Sequence, residues 1–409
     1  MTSVTSFPKE RIKVLLLENI HPSGAQMFRD DGLSVETVSS ALGEDELCAK
    51  VEDVHLLGIR SKTKVTPKVI EAGRRLLGVG CYCIGTNQVA LEAAGKRGVV
   101  VFNAPFSNTR SVAELVLCEV IALSRTLADA SKGMHAGVWN KSATGCFEVR
   151  GKTLGIIGYG HIGRQVGVLA EALGMNVLFY DIQQQLPMGN NRDMPSLNAL
   201  LESSDFVTLH VPATEATKMM MSTEQLRKMR PGSRLLNLSR GNVVDIAALA
   251  EALRSGHLSG AAIDVFPQEP ESNKERFESP LQGLKNVILT PHVGGSTEEA
   301  QAAIGKEVTV TMLKFLNTGS TAQAVNFPRV DPAPSRGRHR ILNIHRNVPG
   351  VLSDINTIIS ELRANVESQV LATNSDVGYL VMDIDRDVSD EVRTRVSNLS
   401  TNIRTRILY

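Results

Sequence analysis

Leu154-Gly-Ile-Ile-Gly-Tyr-Gly-His-Ile-Gly163 places glycines at 158, 160 and 163, a G-x-G-x-x-G pattern directly behind a short apolar run. With 33 glycines in 409 residues the spacing alone arises readily by chance, so its surroundings decide its meaning. Thr153 to Ile157 reads as a strand and Ile162 to Leu173 as an amphipathic helix. Asp181 stands at the end of the next apolar run, Asn176 to Tyr180. In such a strand–turn–helix unit Gly158 permits the tight turn and Gly160 lets backbone approach a diphosphate. Gly163 allows the helix to pack closely on the strand. The helix N-terminus adds unpaired amides and a partial positive charge. Asp181 is placed to accept hydrogen bonds from ribose hydroxyls and to repel a 2′-phosphate, so the expected cofactor is NAD rather than NADP. His161 and Ile162 within the loop, with His210 and Asp264 further on, complete the expected cofactor-binding set. The alternative is an ordinary strand-to-helix turn with Asp181 as a helix cap.

Outward from that loop, short β-branched runs alternate with amphipathic stretches in both directions. Before it come strands at Ile12 to Leu17, Leu56 to Ile59, Leu77 to Gly80 and Val99 to Phe102, with Pro22 in a first helical turn and a helical segment from Val89 to Lys96. A long helical pattern runs from near Ser107 toward Ala130. After the loop come strands at Phe206 to Leu209, Ser233 to Leu238, Gly260 to Asp264 and Val287 to Leu289, then a helix from about Thr297 to Leu316. Strands separated by helices pair in parallel, so two α/β series predict two parallel-sheet, Rossmann-like or flavodoxin-like lobes with a cleft between them.

Phe327 to Arg338 holds three prolines and three arginines with little apolar content and reads as an interdomain linker. The final segment has a different order. Strand Arg340 to His345, helix Gly350 to Leu362, strands Val366 to Thr373 and Gly378 to Ile384, helix Ser389 to Leu399 and strand Ile403 to Leu408 make a ferredoxin-like βαββαβ domain.

The bulk properties narrow the function classes. An apolar fraction of 42% and a charged fraction of 21% belong to a folded chain. A formal net charge of +1 argues against nucleic-acid and membrane-surface partners, which call for a basic excess. The N-terminal residues lack a secretory pattern and the last three match no retention signal, so a cytoplasmic protein is expected. The five cysteines, Cys48, Cys81, Cys83, Cys118 and Cys146, include only a C-x-C pair, too short for the usual zinc spacings. They are expected to be buried reduced thiols, with no metal site.

Three segments at strand ends carry chemistry: Arg240 in Asn237-Leu-Ser-Arg-Gly-Asn-Val-Val-Asp245, Glu269 in Ala261-Ala-Ile-Asp-Val-Phe-Pro-Gln-Glu-Pro270, and His292 in Leu289-Thr-Pro-His-Val-Gly-Gly-Ser-Thr297. Oxidising a hydroxy acid needs a base for the alcohol proton, a cation for the carboxylate, and a nicotinamide facing the C–H bond. Imidazole is the natural base near neutral pH, a neighbouring carboxylate orients it, and the arginine fork fits a carboxylate.

These segments resemble the D-isomer-specific 2-hydroxyacid dehydrogenases. The likeness is closest to the members acting on 3-phospho-D-glycerate and spans essentially the whole chain. Gly80-Cys-Tyr-Cys-Ile-Gly-Thr-Asn-Gln88, Phe102 to Glu114, Gly137-Val-Trp-Asn-Lys141 and Ala324-Val-Asn-Phe-Pro328 also carry it. The resemblance implies an enzyme with His292 as acid/base, Glu269 as its partner and Arg240 as the substrate clamp. The implied reaction converts 3-phospho-D-glycerate and NAD to 3-phosphohydroxypyruvate and NADH, the first step of phosphorylated L-serine biosynthesis, with 2-oxoglutarate a further substrate.

A phosphorylated substrate needs cations away from the reacting carbon, and Arg60, Lys62 and Lys141 are candidates. The resemblance puts Arg60, Ser61, Asn108 and Arg240 around substrate, and Trp139 with Lys141 across a subunit interface. Lys62 stands where arginine is common in the family. The expected domains are a substrate lobe of residues 1–104 and 296–327, a cofactor lobe of 105–295 with hinges near Pro105 and Gly294-Gly295, a linker of 328–338, and an ACT regulatory domain of 339–409. Asn343-Ile-His-Arg-Asn-Val-Pro-Gly-Val-Leu352 resembles the ACT strand-to-helix turn, which implies L-serine as effector on His345, Asn347 and Asn365 in a homotetramer. Arg336-Gly337-Arg338 stands where serine-sensitive relatives carry paired glycines. Two alternatives remain: a hydroxypyruvate or other 2-oxoacid reductase of the same family, and a non-enzymatic NAD-responsive corepressor or sensor.

Overall fold

The computed structural model describes residues 7–270, 274–334, 339–385 and 388–408. Arg336, Gly337 and Arg338 lie outside the described residues. The chain divides into two compact units, Met1–Ser107 with Gln301–Tyr409, and Asn108–Ala300.

The first unit opens with β1 (Lys13–Leu16), α1 (Pro22–Asp30), β2 (Ser34–Thr37), α2 (Glu44–Val51), β3 (Leu56–Ile59), α3 (Pro67–Ala72), β4 (Gly78–Cys81), α4 (Leu91–Lys96) and β5 (Val100–Asn103). The strands form a parallel sheet in the order β2-β1-β3-β4-β5. Every residue of β3 and β4 is buried, because helices cover both faces of a parallel sheet. Edge strand β2 was not anticipated; it is largely exposed and so shows no apolar run. Pro22 and Pro67 each begin a helix behind a residue whose side chain caps it, His21 and Thr66.

The second unit begins with α5 (Thr109–Ser124) and α6 (Leu127–His135). A single helix was expected here. Thr126 takes a left-handed φ of 45° and splits it in two. Then follow β6 (Thr153–Ile157), α7 (His161–Ala172), β7 (Asn176–Tyr180), β8 (Arg192–Asp193), α8 (Leu197–Ser203), β9 (Phe206–Leu209), α9 (Thr223–Lys228), β10 (Arg234–Asn237), α10 (Ile246–Arg254), β11 (Gly260–Ile263) and β12 (Val287–Leu289). Their order, β12-β11-β10-β9-β6-β7-β8, is parallel throughout. Strands after β6 are added first on one side and then on the other, so the loops after β6 and β9 flank a topological switch point.

Helix α11 (Glu298–Thr318) returns the chain to the first unit, where Val308, Met312 and Phe315 pack with Phe102 and Tyr82. The stretch read as a linker is not a loose tether where it is described. Phe327 and Val330 are buried in that same core, and Val330 exchanges hydrogen bonds with Thr321. The chain then forms β13 (His339–Arg346), α12 (Val351–Glu361), β14 (Val366–Thr373), β15 (Val377–Ile384), α13 (Ser389–Ser397) and β16 (Asn402–Leu408). The antiparallel order β14-β15-β13-β16 is the ferredoxin-like arrangement. Neighbouring residues of β13 face opposite sides, and both sides are covered. Ile341 packs with Val351, Ile355 and Val392 of the helices, while Leu342 and Ile344 join the core around Phe315. Arg340 is held by the Asp383 carboxylate at 2.7 and 2.8 Å and donates to the carbonyls of Thr318 and Ala333. Among the described residues no helix is long and apolar enough to cross a membrane.

Candidate active site

The cofactor loop is shaped by close backbone approaches. Gly158 has φ 89°, and a Cβ there would overlap the His210 carbonyl; a Cβ on Gly163 would overlap the Gly158 carbonyl. Gly160, by contrast, faces open space. This is the division of labour a dinucleotide needs, with two glycines for chain packing and one clear face for a diphosphate. Asp181 is fixed beside the loop, one oxygen accepting from Tyr159 N–H at 2.8 Å and the other from Gln183 N–H at 2.9 Å. It is not a helix cap, since the next helix, α8, starts at Leu197 and is capped by Ser196. The Tyr159 ring stacks on Phe179 at 3.8 Å, anchoring the loop from below. His210 is mostly enclosed, and burial pushes its pKa down to about 3, so the ring is neutral. Its Nε2 lies 3.1 Å from Thr208 Oγ1, while Nδ1 has no partner among the described residues.

His292 and Glu269 meet in the same unit. His292 Nδ1 lies 2.8 and 3.1 Å from the two Glu269 oxygens, so the carboxylate engages that nitrogen and not Nε2. The Glu269 hydrogen bond raises the His292 pKa; burial opposes it, and the charges of Glu269 and Asp264 add to the rise. Burial works to raise Glu269, but bonds from His292 and Phe266 N–H, with the charges of His292 and Arg240, hold it below the ordinary carboxylate range. His292 itself has φ 55°, an uncommon conformation for a non-glycine residue. Asp264 sustains it. Its backbone carbonyl accepts from His292 N–H at 2.8 Å, and its buried carboxylate accepts from Thr290 Oγ1, Val293 N–H and Gly294 N–H at 2.6, 2.8 and 2.9 Å.

Arg240 follows β10, and its carbonyl accepts from Asn237 Nδ2 at 3.0 Å. The Asn237 side chain also accepts from Ser239, so one buried amide ties the whole turn together. A Cβ on Gly241 would collide with the Phe266–Pro267 backbone, which brings the Arg240 segment against the Glu269 segment. Asn237, Gly241 and the clamp formed by Asp264 are supports that the sequence did not single out as such.

The remaining candidates fall as follows. Asn108 precedes α5 without capping it through its side chain; its Oδ1 is buried and unpartnered among the described residues, and it sits where a Cβ on Gly295 would meet it. Trp139 is 78% exposed, and Lys141 is exposed two residues on. In the first unit, Arg60, Ser61 and Lys62 form the loop after β3, and neither cationic side chain has an ion-pair partner among the described residues. All five cysteines are free, but against the expectation of buried thiols only Cys81 is buried and Cys118 is exposed.

In the terminal domain His345 is buried on β13, with Nδ1 2.8 Å from Asn343 Oδ1, and burial lowers its pKa. Asn347 is exposed and donates to the Asn374 carbonyl. Asn365 is exposed ahead of β14. The pairings His339↔Ile384 and Val366↔Ile384 put it at the opposite end of the sheet from His345, roughly 20 Å away at ordinary strand rise. One copy of the domain does not bring the three together.

Comparison with known proteins fits this geometry. Residues 117–294 match the D-isomer specific 2-hydroxyacid dehydrogenase, NAD binding domain, and residues 341–404 match an AHAS small subunit-like ACT domain. The chain is 55% identical over 409 residues to the D-3-phosphoglycerate dehydrogenase of Dictyostelium discoideum, covering 100% of both chains. It belongs to the D-3-phosphoglycerate dehydrogenase family. The Escherichia coli K12 member of that family is 51% identical over 407 residues, with 99% of each chain covered. Among solved structures, the D-lactate dehydrogenase of Aquifex aeolicus, complexed with NAD and lactic acid, is 25% identical with a TM-score of 0.66 over 78% of this chain and 100% of its own. A dehydrogenase of this family uses NAD, and the Gly158–Gly163 cradle fits it.

Proposed function

We propose that this chain oxidises 3-phospho-D-glycerate with NAD to 3-phosphohydroxypyruvate and NADH, the first step of phosphorylated L-serine biosynthesis. Full-length identity to D-3-phosphoglycerate dehydrogenases carries the reading, with the His292–Glu269 pair as its chemical core. In this reading Glu269 holds Nδ1, so the alcohol proton passes to Nε2 of neutral His292 as the C–H bond breaks. Bound NAD supplies the acceptor for the hydride. The Arg240 guanidinium clamps the substrate carboxylate. Arg60 and Lys62, with Lys141, meet the phosphate. Asp181 selects NAD over NADP.

We also propose feedback by L-serine through His345, Asn347 and Asn365. Their separation within one domain favours a site shared by two copies, His345 and Asn347 from one and Asn365 from the other. Exposed Leu127, Met134, Val138 and Trp139 on and just after α6 support a second contact between subunits, in a cytoplasmic homotetramer.

Incubation with 3-phosphoglycerate and NAD, with hydrazine to trap the product, tests the reaction. NADH and the phosphohydroxypyruvate hydrazone are expected in equal amounts, and absence of both defeats the reading. Isothermal titration with L-serine should give saturable heat; no heat removes the feedback proposal.

A further inference from the structure

We infer that Glu18 is a positioning residue for substrate, fixing the Arg60–Thr63 loop so that its cationic side chains, rather than its backbone amides, receive the substrate's anionic end. Strands β1 and β3 are parallel neighbours, with Leu16 opposite Gly58, so the chain just after β1 lies beside the chain just after β3. There the backbone makes an unusual turn: Glu18 and Asn19 have φ of 59° and 53°, consecutive left-handed residues with neither a glycine. This turn accompanies a Glu18 side chain bonded to the neighbouring loop, where its buried carboxylate accepts three backbone hydrogen bonds. Arg60 N–H and Thr63 N–H donate to Oε1 at 3.0 and 2.8 Å, and Lys62 N–H donates to Oε2 at 3.0 Å. Gln88 Nε2 holds the loop from its other polarity by donating to the Arg60 carbonyl at 2.8 Å.

Backbone N–H groups converging on one point form an anion-binding concavity. Here the protein fills that concavity with its own carboxylate, whose burial is tolerable only because it is so fully hydrogen-bonded. Two consequences follow. The Arg60 and Lys62 side chains have no ion-pair partner among the described residues and stay available to an anion. An external phosphate or carboxylate is also kept out of the backbone position, where it would be bound in the wrong place. The inference rests on the reading above that this loop meets the substrate's phosphate.

The test uses the full-length protein with Glu18→Ala and Glu18→Gln, NADH, and 3-phosphohydroxypyruvate beside hydroxypyruvate. Acetate is added in one arm, since it restores the carboxylate that the alanine variant lacks. Denaturant unfolding followed by circular dichroism reports whether each variant is folded, since NADH is bound by the other unit. The expected result for Glu18→Ala is a KM raised about tenfold with kcat changed by less than about threefold, and a KM that falls again with acetate. Glu18→Gln should show the KM rise without rescue, because its amide fills the space. A folded alanine variant with unchanged KM overturns the inference, as does a raised KM that acetate leaves untouched. If the alanine variant fails to fold, the glutamine variant decides: raised KM supports the role and unchanged KM overturns it. A wild-type protein that prefers hydroxypyruvate defeats the phosphate reading separately. Glu18 is then judged by the KM of that preferred acid.

Discussion

Glu269 turns both carboxylate oxygens to a side chain, His292 Nδ1 at 2.8 and 3.1 Å, with one of them also accepting from Phe266 N–H, whereas Glu18 gives both oxygens to the backbone of Arg60, Lys62 and Thr63. The same functional group produces opposite results in the two units. At His292 the carboxylate changes the proton affinity of its partner, which suits the proton transfer proposed for it. At the Arg60 loop it fixes the chain while the cationic side chains have no ion-pair partner among the described residues, which suits the phosphate recognition proposed for it. A carboxylate paired with Arg60 itself would compete with any incoming phosphate.

The most severe way to break the chemical half of this comparison is to remove the imidazole. His292→Ala should lower kcat by about 10²- to 10⁴-fold with NADH affinity retained, read by steady-state kinetics and NADH titration. A third carboxylate sharpens the contrast, because Asp383 is spent wholly on structure. It pairs with buried Arg340, and Arg340→Ala should cost about 3–5 kcal/mol, seen as a lowered denaturant midpoint with the cofactor unit's NADH binding intact. Next in size is Glu269→Gln, expected to lower kcat roughly 10- to 100-fold. The sign of its pH effect is definite. Glu269 raises the His292 pKa and oxidation needs the neutral ring, so the acid limb of the oxidation profile should move to lower pH in the variant. A limb that stays in place would assign that titration to another group. The smallest effect is expected at Asp181, whose carboxylate already accepts from Tyr159 and Gln183 N–H groups. Asp181→Asn should narrow the preference for NAD over NADP by about tenfold, measured as a ratio of kcat/KM values.

What could be read in advance follows from the range of the forces involved. The Gly158–Gly163 loop, the buried strands and the βαββαβ order depend on local period and local turn chemistry, and these are written in contiguous residues. Edge strands β2 and β8 escaped because exposed strands lack an apolar run, and the break at Thr126 has no glycine or proline to announce it. Phe327 and Val330 looked like linker residues because what buries them lies far away in sequence. Glu269 and His292 were legible through their surrounding segments. Glu18 was not: its partners are backbone amides 42 to 45 residues away, and any residue type supplies such an amide. Only the pairing of β1 with β3 brings them within reach.

The most direct test of the whole account is NADH oxidation with 3-phosphohydroxypyruvate, set beside hydroxypyruvate and 2-oxoglutarate, with and without L-serine. The highest kcat/KM is expected for the phosphorylated acid, lowered when serine is added. Turnover of the unphosphorylated acids alone would contradict it and make Arg60, Lys62 and Lys141 an ordinary charged surface.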